Sequence, residues 1–145
     1  LYAHAMPVSS DGALVAIRMA PHTANGGRVY FAAGSFDPHD VRDGRLDIAS
    51  NMAREVGEET GLDLNAARAE DAYHGWSGDG GTVLVRRYFL ARSADEIAED
   101  IRRHIAADPD PEIDEAIIIR RAGDLPDGLM AHMVPLVEWH FRGQE

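Results

Sequence analysis

The chain has 145 residues, of which 45% are hydrophobic, and this length suits a single hydrophobic core and hardly two. Its formal net charge of -11 argues against general nucleic-acid binding, because such binding neutralises backbone phosphates. Because cysteine is absent and no apolar run approaches the length of a membrane span, the sequence excludes disulfides, cysteine-ligated zinc, a cysteine nucleophile and a spanning helix.

The first part of the chain predicts three strands. Residues 1–9 and 13–19 are apolar runs joined by a Ser-Asp-Gly turn, and Asp-Gly between such runs is typical of a hairpin. Residues 21–27 predict a loop, and residues 28–33 predict a short strand. The sequence starts at Leu1 in apolar sequence, and we expect it to be part of a longer protein with residues upstream.

A helix is predicted over residues 48–60. Apolar residues repeat every four positions from Ile48 to Val56 and give the helix a core-facing stripe. Asp47 is placed to cap the first turn, and Gly61 is typical of a helix end in which glycine takes the left-handed conformation.

The rest of the chain predicts two strands, a helix, a strand and a last helix, at residues 69–76, 82–91, 94–107, 113–120 and 129–141. Ser93 and Glu96 form a capping box at the start of the first of these helices. The apolar run from Ile113 onward is typical of a strand that is buried on both faces. Strands on both sides of a central helix, with helices late in the chain, predict one domain over residues 1–145 with a mixed sheet between helices.

Three glutamates share the predicted helix 48–60. Glu55 lies four residues before Glu59 and three before Glu58, so their carboxylates can converge. Like charges this close repel each other unless a cation lies between them, and Mg²⁺ and Mn²⁺ prefer oxygen ligands. The pattern therefore indicates a divalent-metal site. The alternative is a solvated acidic helix face, but such a face would not need Gly57, since an interior glycine costs about 1 kcal/mol relative to alanine.

The run Arg-Glu-Val-Gly-Glu-Glu-Thr-Gly-Leu, from Arg54 to Leu62, resembles the second half of the Nudix hydrolase signature at every specified position. The signature reads Arg-Glu-apolar-x-Glu-Glu-x-Gly-apolar in this half. The resemblance implies the Nudix α/β/α sandwich over roughly residues 1–140. It also implies that one to three Mg²⁺ or Mn²⁺ ions grip a diphosphate while water attacks one phosphorus.

Roles for the helix side chains follow from the same resemblance. It implies that Glu58 and Glu59 bind metal, and that Glu55 is either a metal ligand or the base that activates water. It implies that Arg54 orients a neighbouring glutamate, although a plain surface ion pair is the alternative.

The first half of the signature departs from the family pattern. Its glutamate position holds Leu46, which cannot bind metal, and the glycine in the right context is Gly34. The loop between them is therefore longer than usual, with residues 36–44 as the insertion. The outer metal contact is expected from one of three acidic residues, Asp47, Asp43 or Asp40.

Further candidates lie outside the helix. Arg18 ends the second predicted strand, where the family often places an arginine on a phosphate. The other positive charges expected near the site are Arg28, Arg86 and Arg87, and each is as readily an edge or surface residue. Glu112 and Glu115 follow the Pro-rich break, where a family glutamate sometimes completes the metal cluster or serves as base.

The function predicted from these residues is hydrolysis of the diphosphate in a nucleoside diphosphate linked to another group, with Mg²⁺ or Mn²⁺ as cofactor. The expected partner is a nucleotide-type small molecule in the cytoplasm, without nucleic acid or membrane, and the oligomeric state is left open, a homodimer included. The alternative is a weakened Nudix-like domain that senses a nucleotide without turning it over. A purely structural interaction domain would leave the acidic cluster unexplained. No motif selects among ADP-ribose, sugar nucleotides, coenzyme A, dinucleoside polyphosphates and oxidised nucleotides.

Overall fold

A computed structural model of the chain describes residues 2–32, 41–78 and 81–142. The strands are β1 Tyr2–Val8, β2 Leu14–Met19, β3 Val29–Tyr30, β4 Val41–Arg42, β5 Arg45–Leu46, β6 Arg68–Ala69, β7 His74–Gly78, β8 Gly81–Phe89 and β9 Ile113–Ile119. The helices are α1 Ile48–Thr60, α2 Ala94–Ala107 and α3 Val134–Arg142, with short 3-10 turns at Leu64–Ala66 and Ala131–Met133.

A mixed seven-stranded sheet organises the described residues. β1 and β8 run parallel from the pair Tyr2 and Val83 to the pair Val8 and Phe89. β2 pairs antiparallel with β1, β3 and β9, while β6 and β7 pair antiparallel with β8. β4 and β5 form a separate two-stranded hairpin directly before α1.

Helices cover both faces of this sheet. Because side chains alternate along a strand, neighbouring residues of β2 belong to different cores. Val15 and Ile17 pack with buried residues of α1 and α2, whereas Leu14 and Ala16 pack with buried residues of α3. The predicted α/β/α sandwich with a mixed sheet is confirmed.

The predicted ends of α1 and α2 are confirmed. The Asp47 side chain accepts a hydrogen bond from the Ser50 backbone N–H, and Gly61 ends α1 with a φ of 78°. Ser93 and Glu96 form the predicted capping box at the start of α2. The first hairpin is also confirmed, with β1 and β2 antiparallel and the chain reversing at Gly12.

The prediction of one strand over residues 69–76 is wrong. The chain pairs with β8 at β6, leaves the sheet, and pairs with it again at β7, which continues to Gly78. The interruption has a polar cause, because the Glu70 carboxylate accepts hydrogen bonds from the Arg87 backbone N–H and is bonded to His74. A side chain thus takes the place of a ladder bond.

Two other expectations near the C-terminus need correction. β9 is not buried on both faces, because it pairs with β2 at the sheet margin and exposes Asp114 and Glu115. The last helix starts at Val134 rather than at residue 129, after the 3-10 turn Ala131–Met133. Pro135 explains the later start, since proline lacks an N–H and is tolerated only in the first turn of a helix.

The predicted strand over residues 28–33 is confined to β3. Gly34 and most of the predicted insertion 36–44, including Asp40, lie outside the described residues. Its last part is the β4 and β5 hairpin, whose turn residues Asp43 and Gly44 have φ values of 52° and 75°. Two consecutive positive φ angles are typical of a type I′ turn, which Asp-Gly favours, so this sequence signal was present and was missed.

No helix in the described part of the chain combines the length and the apolar character that crossing a bilayer requires.

Candidate functional site

Helix α1 carries its glutamates along the edge of the core. Met52 and Val56 are buried and fix the helix against the sheet. Glu55 lies beside this stripe, so only 14% of its side chain is exposed, whereas 61% of the Glu58 side chain is exposed. The acidic residues therefore range from nearly buried to solvent-facing, which a purely solvated helix face does not do.

Gly57 does not decide between these interpretations. A Cβ atom added there would meet the Leu62 carbonyl oxygen only at 3.8 Å, an ordinary contact. The structure gives no steric reason for glycine at this position. The burial of neighbouring glutamates, not Gly57, is what argues against a solvated acidic face.

Arg54 lies beside the carboxylates of its own helix. Its Nη1 donates a hydrogen bond to Glu55 Oε1 at 2.9 Å and lies 3.8 Å from Glu58 Oε1. A charge-assisted hydrogen bond to a largely buried carboxylate restricts the orientation of that carboxylate. This geometry is what an orienting role for Arg54 requires.

Glu59 is the most perturbed acid of the cluster. Burial, followed by the charges of Glu55, Glu112 and Glu58, raises the pKa of Glu59 to about 8. Its Oε2 atom is buried and has no hydrogen-bond partner among the residues that the structure describes. A buried carboxyl oxygen without a donor is costly, and a cation supplies both the missing partner and the opposite charge.

Glu112 joins the cluster from the segment that follows α2. Its carbonyl oxygen accepts a hydrogen bond from the Ala20 backbone N–H at 2.8 Å, which holds the segment against the end of β2. Burial, then the charges of Glu59, Glu112 and Glu55, raise the pKa of Tyr30 to about 12. The same group of carboxylates thus acts on the Tyr30 hydroxyl.

A cleft of about 210 Å³ opens beside this cluster. Its lining is mostly acidic and consists of Glu58, Glu59, His104, Ile105, Asp108, Asp110, Pro111 and Glu112. Such a wall repels phosphate oxygens unless cations lie between them. An anionic ligand in this cleft would therefore need cations between its oxygens and the carboxylates.

The donor atoms fit a hard cation, although they do not converge on one point. Within residues 2–32, 41–78 and 81–142, no three His, Asp or Glu side chains are grouped closely enough to hold a metal ion. Glu55 is bonded to Arg54, and most of the Glu58 side chain is exposed. It is the carboxylate chemistry and the buried Glu59 oxygen that match Mg²⁺ or Mn²⁺.

Arg18 and Glu115 bind each other rather than the cluster on α1. Arg18 Nε donates to Glu115 Oε1 at 2.9 Å, and Arg18 Nη1 donates to the carbonyl oxygens of Gly27 and Asp127. The guanidinium thereby ties two loops together, which leaves it poorly placed for a phosphate. Arg28 is exposed next to the same loop, directly before β3.

The two arginines of β8 are also held by neighbours. Arg87 donates to the Glu70 carboxylate and lies over the Trp139 ring, 4.3 Å from its centroid. Arg86 donates to the Tyr73 hydroxyl at 3.1 Å. Both side chains are therefore held by the segment between β6 and β7, and Arg87 also by α3.

The structure describes two of the three candidates for the outer metal contact. Asp47 accepts hydrogen bonds from the backbone N–H of Ser50 at 3.0 Å and from its hydroxyl at 2.8 Å, so both carboxylate oxygens serve the helix cap. Asp43 occupies the hairpin turn between β4 and β5. Asp40 lies outside the described residues.

Tyr30 and His104 belong to this region and were not singled out from the sequence. The Tyr30 hydroxyl lies 3.1 Å from the Met19 sulfur and near the carboxylates. His104 Nε2 lies 3.0 Å from the Glu58 carbonyl oxygen, 46 residues away in the chain. No local pattern marks either residue, because their contacts come from the tertiary fold.

Solved structures share this architecture. An Ap4A hydrolase binary complex from C. elegans has a TM-score of 0.65 at 13% identity and covers 99% of this chain and 98% of that one. A MutT protein from Methanosarcina mazei Go1 has a TM-score of 0.59 at 18% identity, with coverage of 99% and 94%. The NUDIX domain of Shewanella oneidensis NrtR, complexed with ADP ribose, has a TM-score of 0.57 at 12% identity, with coverage of 99% and 86%.

Comparison of sequences adds nothing to this likeness, since no protein-family model matches the chain and no curated protein is significantly similar to it. The structural neighbours cover nearly the whole chain. They show that the chain has the Nudix hydrolase fold, as the resemblance of residues 54–62 implied.

Proposed function

We propose that the protein is a divalent-metal-dependent hydrolase that cleaves the diphosphate of a nucleoside diphosphate linked to another group. Glu55, Glu58 and Glu59 would hold Mg²⁺ or Mn²⁺. The observation that carries the proposal is the Glu59 carboxyl, which is partly buried near three other carboxylates and whose buried Oε2 lacks a donor among the described residues. A cation is the partner whose charge and ligand preference match this group.

Each side chain has a physical task in this reaction. When bound, the metal ions would stabilise charge on the phosphoryl oxygens and lower the pKa of the attacking water. Glu58 and Glu59 would supply ligand oxygens from the cleft wall. Arg54 holds the Glu55 carboxylate through a 2.9 Å hydrogen bond, so that Glu55 faces the cluster as a ligand or as the base that accepts the proton of water.

Glu112 is a second candidate for the base. It lines the same cleft as Glu58 and Glu59, and its charge is among the causes that raise the pKa of Glu59. Glu55 and Glu112 are therefore both near the place where water would be activated. Comparing Glu55→Gln with Glu112→Gln separates the roles, because loss of a metal ligand is offset by more Mn²⁺ and loss of the base is not.

The nucleotide class of substrate is supported by chemistry and by the neighbours. Neighbouring structures include an Ap4A hydrolase and a domain complexed with ADP ribose, both of which concern nucleotides with linked phosphates. A net charge of -11 disfavours a nucleic-acid substrate and is compatible with a small anion delivered with its cations. We place the reaction in the cytoplasm, in keeping with the absence of cysteine.

The test is a panel of ADP-ribose, sugar nucleotides, coenzyme A, dinucleoside polyphosphates and oxidised nucleotides, each with Mg²⁺ or Mn²⁺, with products separated by anion-exchange chromatography. Glu58→Gln should reduce turnover on the order of 100-fold or more, as loss of an interaction made in the transition state does. Glu138→Gln is the matched control, since Glu138 is exposed on α3. Absence of cleavage across the panel, or equal turnover in the two variants, would contradict the proposal.

A second candidate function is nucleotide binding without turnover. Two observations favour it: Leu46 stands where the signature has its outer glutamate, and a structural neighbour is a NUDIX domain complexed with ADP ribose. Titration calorimetry with ADP-ribose, followed by recovery of the ligand, distinguishes the two functions. Tight binding with the ligand intact after prolonged incubation with Mn²⁺ would favour the binder over the hydrolase.

A further inference from the structure

The C-terminal end of α1, which carries Glu58 and Glu59, is completed by a residue of another helix. The last carbonyl oxygens of a helix have no partner within it. Gly61 N–H bonds the Gly57 carbonyl, while Leu62 N–H turns to the Thr60 hydroxyl instead of a helix carbonyl. The Glu58 carbonyl oxygen lies 3.0 Å from His104 Nε2 of α2. Because a carbonyl only accepts, this geometry assigns the ring proton to Nε2.

The packing around this hydrogen bond is close and specific. A Cβ atom at position 61 would lie 2.8 Å from His104 Nδ1 and 2.9 Å from His104 Cγ. Gly61 also has a φ of 78°, which side chains rarely adopt. Glycine at this position therefore allows the positive φ at the helix end and leaves space for the imidazole ring of His104.

His104 also lines the cleft. It does so together with Glu58 and Glu59 of α1 and with Glu112. α2 ends at Ala107, and the segment that follows it carries Glu112. The hydrogen bond of His104 thus joins the last turn of α1, which carries Glu58 and Glu59, to the helix that precedes Glu112 in the chain.

We propose that His104 is a positioning residue for the metal-binding carboxylates, acting through its Nε2 hydrogen bond to the Glu58 carbonyl. The inference rests on the proposed function, because it concerns how Glu58 and Glu59 are presented to a cation. His104 does not touch the substrate in this account. Its task is to hold the backbone from which the two side chains arise, as residues behind metal ligands commonly do.

A matched pair of substitutions tests the hydrogen bond. His104→Gln places an amide nitrogen near the position of Nε2 and can still donate to the Glu58 carbonyl. His104→Asn ends one carbon shorter, near the position of Nδ1, and cannot reach it. Arg103→Ala on the same helix turn is the control, because 71% of its side chain is exposed. Circular dichroism is used to check that all three variants fold.

The first readout is Mn²⁺ affinity, which is measured from the electron paramagnetic resonance signal of free Mn²⁺. The second readout is steady-state kinetics, which gives kcat and KM separately. We expect His104→Asn to weaken Mn²⁺ binding about tenfold and to lower kcat with KM little changed. His104→Gln should stay within about threefold of wild type, and Arg103→Ala should match wild type.

Each other result has a definite meaning. Wild-type Mn²⁺ affinity and kcat in His104→Asn would overturn the positioning role and leave the hydrolase proposal standing. Equal losses in the Asn and Gln variants would also overturn it, because ring packing and not the hydrogen bond would then be responsible. If wild type and Glu59→Gln bound Mn²⁺ equally well, that result would contradict the proposed function, and the positioning role would be refuted with it.

Discussion

Replacing Glu59 by glutamine should stabilise the metal-free protein at alkaline pH. The pKa of Glu59 rises from 4.5 to about 8 in the folded chain because of burial and the charges of Glu55, Glu112 and Glu58. Between these values the folded state keeps a proton that the unfolded chain has lost. Stability contributed by this group is therefore present at low pH and is lost as pH rises toward 8.

The magnitude follows from the size of the pKa change. At about 1.4 kcal/mol for each pKa unit, the upper limit is about 5 kcal/mol. Part of the side chain keeps contact with solvent, and screening reduces the expected effect to about 2 kcal/mol. In a domain of this size, that difference corresponds to roughly 5 °C in Tm.

The assay is thermal unfolding in EDTA from pH 5 to pH 9. Glu59→Gln should match wild type near pH 5 and exceed its Tm by pH 9, while Glu138→Gln should follow wild type throughout. Adding Mn²⁺ at pH 8 should raise the Tm of wild type and not that of Glu59→Gln, since ligand binding to the folded state stabilises it by mass action. A constant difference between wild type and Glu59→Gln across this range would refute the reasoning.

Three further substitutions test the neighbourhood of the cluster. Arg54→Ala frees Glu55 and should lower kcat about tenfold with KM within about twofold; steady-state kinetics with an unchanged kcat would leave Arg54 as a surface ion pair. Asp47→Ala removes the α1 cap and should cost about 1 kcal/mol in urea unfolding, with the Mn²⁺ dependence of activity unchanged; an increased Mn²⁺ requirement would instead identify Asp47 as the outer ligand. Gly61→Ala combines a positive φ with a clash against His104 and should cost about 1–3 kcal/mol; a Tm equal to wild type would show that the ring moves aside.

Helix α1 was predictable because its signals are local. Its cap, apolar stripe and final glycine all lie within a few residues of the segment they define. The sequence therefore locates Glu55, Glu58 and Glu59 on one helix without tertiary information. The local sequence does not determine how buried these glutamates are, because their burial depends on how Met52 and Val56 pack the helix against the sheet.

The rest of the candidate site depends on contacts between distant parts of the chain. Glu112 approaches α1 because β9 pairs with β2 and the Ala20 N–H bonds the Glu112 carbonyl. Glu115, three residues later, is directed to Arg18 on β2. Both glutamates looked equivalent in the sequence, and only the strand register separates them.

The interruption between β6 and β7 could not be predicted from the sequence either. Residues 69–76 have strand-forming character, yet a side chain that satisfies the backbone of a neighbouring strand competes with the regular ladder. Glu70 does so by accepting from the Arg87 N–H. Burial raises the pKa of Glu70, but hydrogen bonds from Arg87 and His74 outweigh it and hold the pKa below its usual value. Local pattern could not reveal this network, because its partners lie on β8.

The fold brings like charges together in the acidic cluster, and the proposed cation would offset their repulsion. The fold partly buries Glu59 among like charges, where ionisation is unfavourable and the pKa rises to about 8. A proton relieves this repulsion in the metal-free protein, and in the proposed metal complex a divalent ion would relieve it, so the two would compete for the same carboxyl. Arg54 offsets part of the charge at Glu55, while Glu59 has no donor to its buried Oε2 among the described residues. In the metal-free protein Glu59 is the most perturbed acid of the cluster, so a bound cation would stabilise it most. We therefore expect Glu59 to contribute most to metal affinity, even though Leu46 stands at the position of the outer glutamate.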